Sequence, residues 1–153
     1  MKIAQIAPFE ESVPPKKYGG TELVVYNLTQ ELVKKGHQVY LIATGDSKTK
    51  AKILPVFKIA LRKHLKMSDL KIRDAFKIIG IGRVLNYLKN LDVDIIHNHL
   101  GWRLLPFSHL IKKPVVTTLH GPLDVEYQEL FMKISKTQIM FQFQTTKENP
   151  YQI

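Results

Sequence analysis

The residues best suited to chemistry in this sequence are a pair of glycines near its start and three histidines in its second half. Gly19-Gly20 lies within Pro14-Pro15-Lys16-Lys17-Tyr18-Gly19-Gly20-Thr21-Glu22, between an apolar run, Ile3 to Ala7, and a long amphipathic one. A strand that hands over to a helix through adjacent glycines is a place to hold an anion. The backbone can approach a ligand closely there, and the helix start presents unpaired N–H groups and the positive end of its dipole. A phosphate or carboxylate fits such a place, although the same pair would also serve as a plain tight turn with Thr21 capping the helix. His120 follows an apolar run and precedes Gly121. A neutral imidazole in that position can bond a sugar hydroxyl or a leaving phosphate, or simply make a structural hydrogen bond. His97 and His99 stand two apart at a strand and its exit; they are expected to point apart and not to reach one ion unless the strand has already ended. No cysteine lies nearby, and Asp94 is explained as a strand-entry residue, so no metal is expected.

The elements that must position these residues alternate along the chain. Lys2 to Ala7 reads as a strand ended by Pro8, and the loop from Phe9 to Gly20 is long for a strand-to-helix connection. Loops of that length are often functional. A helix from Thr21 to about Lys35 carries the stripe Leu23, Val24, Leu28, Leu32 and Val33 and stops at Gly36. Gln38 to Ala43 is the second strand, Thr44 to Ser47 a turn, and Ile53 to Phe57 another short strand. Lys58 to about Leu91 is expected to be helix in at least two pieces, with Ser68-Asp69 as a cap and with Gly80 and Gly82 weakening the second piece. Asp94 to His99 is a strand and its exit, Trp102 to Ile111 a short helix bent at Pro106, and Pro114 to Leu119 a β-branched strand. A final helix is expected from Asp124 to about Lys133. Alternation of this kind makes a single α/β domain, a mostly parallel sheet with helices on both faces, whose ligands sit beyond the carboxyl ends of the strands. Gly19-Gly20, Gly45-Asp46, His97-Asn98-His99 and His120-Gly121 all fall at that edge.

Composition narrows the class. At 153 residues and 44% hydrophobic content, the chain can build one domain with a real core but not two ordinary ones. The absence of cysteine excludes a disulfide framework and fits a reducing cytoplasm. There is no signal-peptide core and no apolar run near the ~20 residues of a membrane span, so the expected location is cytoplasmic. A net charge of +10 raises nucleic acid, an anionic membrane face or a phosphorylated substrate as partners. Much of the excess lies between Lys48 and Lys77, where basic residues alternate with apolar ones; that pattern is a solvated helix face or a patch for peripheral contact with a membrane. Nucleic acid is not expected, because no reading helix or interleaved aromatic platform is recognisable.

Five blocks carry a resemblance. Lys2-Ile3-Ala4-Gln5-Ile6-Ala7-Pro8, Glu11 to Glu22, Ala43-Thr44-Gly45-Asp46-Ser47, Asp94-Ile95-Ile96-His97 and Thr118-Leu119-His120-Gly121-Pro122-Leu123-Asp124 resemble, in order and spacing, the amino-terminal half of family 4 glycosyltransferases. These are retaining enzymes of the GT-B fold. The resemblance implies an acceptor-side Rossmann-like domain, one half of a GT-B fold, and metal-independent transfer from a nucleotide-sugar to a sugar acceptor, the nucleotide-sugar being a substrate and no cofactor being needed. It implies that Gly19 and Gly20 hold the donor phosphate and that His120 meets the transferring sugar or leaving group. Thr21, Glu22, Asp46, His97, His99 and Asp124 would shape the cleft and its acceptor side.

Such enzymes also carry a second Rossmann-like domain that binds the nucleotide, and this sequence stops before it. Residues 1–135 are therefore expected to form the acceptor-side domain and 136–153 an atypical tail. Read one frame over with permitted third bases, the codons for Phe141 to Ile153 spell Ser-Ile-Ser-Asn-Asn-Gln-Arg-Lys-Pro-Leu-Pro-Asn, the kind of segment the family has there. The expectation is a frameshifted, truncated enzyme, inactive alone because one cleft wall cannot position both reactants. The alternative is a non-enzymatic sugar- or anion-binding module, or the partner subunit of a separately encoded nucleotide-binding half. Apolar surface meant for a missing domain would favour a homodimer through the cleft face.

Overall fold

Each apolar run that reads as a strand finds a parallel neighbour. The computed structural model describes residues 1–63, 69–121 and 139–142. Among these, the strands are β1 (Lys2–Ile6), β2 (Gln38–Ala43), β3 (Lys52–Pro55), β4 (Ile95–Asn98), β5 (Val115–Leu119) and β6 (Ile139–Gln142), and the helices are α1 (Gly20–Lys34) and α2 (Leu70–Asn90). They form one six-stranded sheet in the order β3-β2-β1-β4-β5-β6, with every pairing parallel. The Rossmann-like arrangement expected from the alternation is thus present. Through β6 the sheet extends past residue 135.

Side-chain alternation along the strands splits the core in two. On one face, Ala4, Ile6, Ile42, Ile96 and Val115 pack with Ile81, Val84 and Leu88 of α2 and with Leu104. On the other, Ala7, Val13, Leu41 and Ala43 pack with Val25 of α1. Register places Gln5 beside His97 and His97 beside Val116, so these residues share the α1 face of the sheet.

α1 begins one residue earlier than expected and turns differently. Its buried face is Glu22, Val25 and Thr29, while Leu23 and Val24 stay 49% and 45% exposed. The expected stripe fails because α1 turns Val25, not Leu28 or Leu32, onto Ala7, Val13, Leu41 and Ala43. The helix seats Val25 there and leaves Leu28, Leu32 and Val33 half-buried at its margins. It stops as expected at Gly36, whose φ of 83° suits a residue without Cβ.

The basic segment after β3 divides as expected into a 3-10 turn, Leu61–Lys63, and α2, which Asp69 caps by accepting from the backbone N–H groups of Lys71 and Ile72 at 2.9 and 3.3 Å. α2 runs unbroken through both Gly80 and Gly82, and position 80 has no room for a larger residue. The reason at Gly80 is packing: a Cβ there would lie 2.5 Å from Phe9 Cε2 and 3.0 Å from Phe57 Cε2. Those two rings meet edge to face with centroids 5.6 Å apart. The Pro106 segment is 3-10 throughout, Gly101–Leu110. The helix expected from Asp124 to Lys133 lies outside the described residues.

Candidate active-site cleft

The strand order reverses between β1 and β4, and a sheet of this kind opens a crevice beyond the carboxyl ends of the strands at that point. A cleft of about 620 Å³ lies there. The start of α1, from Gly19 to Glu22, forms one wall; Glu10, Glu11 and Arg62 line another part, and His120, from the exit of β5, lines the same space. The paired glycines and the imidazole therefore share one opening at one sheet edge.

Gly19 rather than Thr21 is the N-cap of α1, and Thr21 lies inside the first turn. The Gly19 carbonyl accepts the N–H of Leu23 at 3.0 Å, and no side chain caps the helix, so the first amides are not satisfied by a capping side chain. The backbone of Gly19 is extended; what requires glycine is space. A Cβ would fall 2.7 Å from Pro15 Cβ and 3.0 Å from Glu22 Oε2.

Charge in the cleft is largely compensated. Glu10 pairs with Lys77 at 2.9 Å and Glu11 with Arg62 at 3.4 Å, while the Arg62 guanidinium stands 5.9 Å from the centre of the Tyr18 ring. Glu22 is buried and makes no ion pair among the described residues; burial, then the nearby Glu10 and Glu11, raise its carboxyl above the usual range, against the opposing pull of its own backbone N–H and of the Arg62 charge. Arg62, Lys63 and Lys77, which in the sequence belong to an alternating basic run, are thus tied to acidic partners rather than spread along one solvated face.

Asp46 does not line this cleft. Its Oδ1 accepts from Thr44 Oγ1 at 2.7 Å and from the Ala60 N–H at 3.1 Å, and its Oδ2 pairs with Lys63. Burial pushes its carboxyl up, but the bonds from Lys63, Thr44 and the Ala60 amide outweigh that and hold it below the usual range. It clasps the loop after β2 to the 3-10 turn. Asp124 lies outside the described residues.

The histidines cluster, and the expectation that His97 and His99 diverge is corrected. Side chains two apart along a strand share a face, and that direction carries past the end of β4 at Asn98, so the two rings lie with centroids 4.0 Å apart. Asn98, fully buried, holds the turn: its Oδ1 accepts from the Leu100 N–H at 2.9 Å, and its Nδ2 donates to the Gly101 carbonyl at 3.0 Å and to Thr117 Oγ1 at 3.1 Å. His97 Nε2 meets Thr118 Oγ1 at 2.7 Å. His99 Nδ1 meets His120 Nε2 at 2.9 Å, and His99 Nε2 meets Gln5 Oε1 at 3.2 Å. Burial, with His120 nearby, lowers His97 to about 4; burial, with both neighbouring rings, lowers His99 to about 2, and burial lowers His120 too. All three rings are neutral near pH 7. Among the described residues no group of three or more His, Asp or Glu is arranged to hold a metal ion.

The site also contains residues that sequence reasoning did not single out: Tyr18, Glu10 and Arg62 in the cleft, and Gln5 behind it. Gln5 had a cue, as the polar residue in the apolar run Ile3 to Ala7. Arg62 had none, since its role depends on a turn that brings residues 51 positions apart together. Among the described residues no helix is long and apolar enough to cross a membrane.

The family model described as Glycosyltransferase Family 4 matches residues 18–146 of the chain. No curated protein matches it. Among solved structures, the chain is similar to AviGT4, a glycosyltransferase involved in avilamycin A biosynthesis, with a TM-score of 0.52 and 21% identity, over 78% of this chain and 32% of that one. That likeness is one of fold, and the chain spans about a third of AviGT4's length.

Proposed function

This chain belongs to glycosyltransferase family 4, and from that membership we propose that its cleft is the acceptor-side half of a site for transferring a sugar from a nucleotide-sugar to an acceptor. The observation that carries the reading is the meeting of Gly19, Gly20 and His120 at one opening. The uncapped start of α1 offers N–H groups and a positive dipole end to the donor phosphate, where negative charge builds as the sugar leaves. His120, neutral and held from behind by His99, contacts a hydroxyl of the transferring sugar. Thr21 and Glu22 shape the acceptor side, while His97 and His99 do not line the cleft and stand behind His120 as its support.

Because transfer needs both reactants held in register, one wall binds weakly and turns over little. The reading therefore includes a second, nucleotide-binding half, within the same or another polypeptide. Calorimetry with nucleotide-sugars, free sugars and inorganic phosphate tests it. Weak binding of nucleotide-sugar is expected, reduced about tenfold by His120→Ala, the size of one hydrogen bond lost. Binding that is insensitive to both Gly19→Ala and His120→Ala would reject it.

A further inference from the structure

We propose that Gln5 is a positioning residue for His120: through His99 it fixes which nitrogen of the His120 ring carries the proton, leaving Nδ1 as the acceptor that meets the ligand. The inference about the ligand rests on the proposed function; the assignment of the tautomer does not. Gln5 is fully buried in β1, and its Oε1 faces His99 Nε2 at 3.2 Å. An amide oxygen only accepts, so His99 Nε2 must bear a hydrogen. A neutral imidazole carries one, which leaves His99 Nδ1 with a lone pair. His120 Nε2 lies 2.9 Å from that lone pair and must donate to it. His120 in turn is neutral with its hydrogen on Nε2, and its Nδ1 is a bare acceptor with no bond to any described residue.

The chemical consequence is selective. An acceptor nitrogen takes a hydrogen bond from a hydroxyl and offers none to a phosphate oxygen. Of the two ligand groups an imidazole could meet at this position, the relay picks the sugar hydroxyl. The arrangement has a cost that marks it as functional: Gln5 Nε2 is buried without a partner among the described residues. An apolar residue in its place would avoid that orphaned donor, but would release both rings to choose their own tautomers. Turning the amide over would strand the oxygen instead and reverse both rings, making His120 Nδ1 a donor suited to phosphate.

Selective ¹⁵N labelling of histidine, read through two-bond ¹H–¹⁵N correlations at about pH 7 in the whole chain without ligand, decides between these states. The ring signals are assigned with His99→Gln and His120→Gln. Both His99 and His120 are expected as Nε2–H tautomers. Gln5→Met, unbranched and of similar volume, removes the acceptor and the orphaned donor together. It is expected to fold and to replace the single His120 pattern by a mixture of the two tautomers. His120 found as the Nδ1–H form in the unsubstituted chain, or found unchanged in Gln5→Met, would overturn the proposal. If Gln5→Met does not fold, the unsubstituted spectrum still decides. Correct tautomers in a chain that binds no sugar would instead count against the proposed function and leave the relay standing.

Discussion

At the scale of single residues, the cleft is a place where burial holds titratable groups neutral. His97 folds with its pKa lowered from 6.5 to about 4. Between those values the unfolded chain binds more protons than the folded one, so stability must fall as pH falls through this window. At 1.36 kcal/mol per unit, discounted for the water that reaches a half-buried ring, the loss attributable to His97 is on the order of 2 kcal/mol. Denaturant unfolding at steps from about pH 7 to pH 4 measures the combined loss from His97, His99 and His120, and the part that His97→Gln removes from the curve is that of His97. Asp46 does not confuse the result, because its lowered pKa acts below 3.8. Glu22 acts in the opposite direction: its raised carboxyl binds a proton more readily when folded, so its charged form costs stability above that pKa and the cost disappears on acidification. Glu22→Gln should therefore raise the Tm at neutral pH and steepen the acid loss seen in the same titration.

At the scale of elements, glycines test how much of the fold comes from packing rather than propensity. Gly80 and Gly82 sit in the same helix, and in an isolated helix alanine would improve both by about 1 kcal/mol. The tertiary structure separates them. A Cβ at Gly80 runs into the Phe9 ring, whereas at Gly82 it meets nothing within 4 Å. Gly80→Ala should cost about 1–3 kcal/mol through overpacking, and Gly82→Ala should gain up to about 1 kcal/mol. Paired denaturation curves check both. The same contrast explains what was legible beforehand. Strand alternation, the Asp69 cap and the Gly36 stop are local patterns, and they were readable from residue order. The need for glycine at position 80 depends on Phe9, some seventy positions away, and the seating of α1 depends on Ala7, Val13, Leu41 and Ala43. No local pattern carries either. The histidine cluster was half legible: its place at the sheet edge followed from topology and the two-residue period of a strand puts His97 and His99 on one face, but the bond from His99 to His120, 21 positions away, is carried by no local pattern.

At the scale of the whole molecule, the sheet order sets the opening, and the opening collects Gly19, Gly20 and His120 from loops that follow β1 and β5. That convergence is the central claim, and it makes weak binding by one wall the expected behaviour. The most direct measurement is a ¹H–¹⁵N correlation spectrum of the chain titrated with a nucleotide-sugar, using inorganic phosphate as a comparison. The backbone amides of Gly19, Gly20 and Thr21 and the His120 ring should move together along one weak, saturable curve, with the ring responding to the sugar and not to phosphate alone. Shifts confined to other parts of the surface, with the Gly19 and Gly20 amides and the His120 ring unmoved at saturation, would contradict the account.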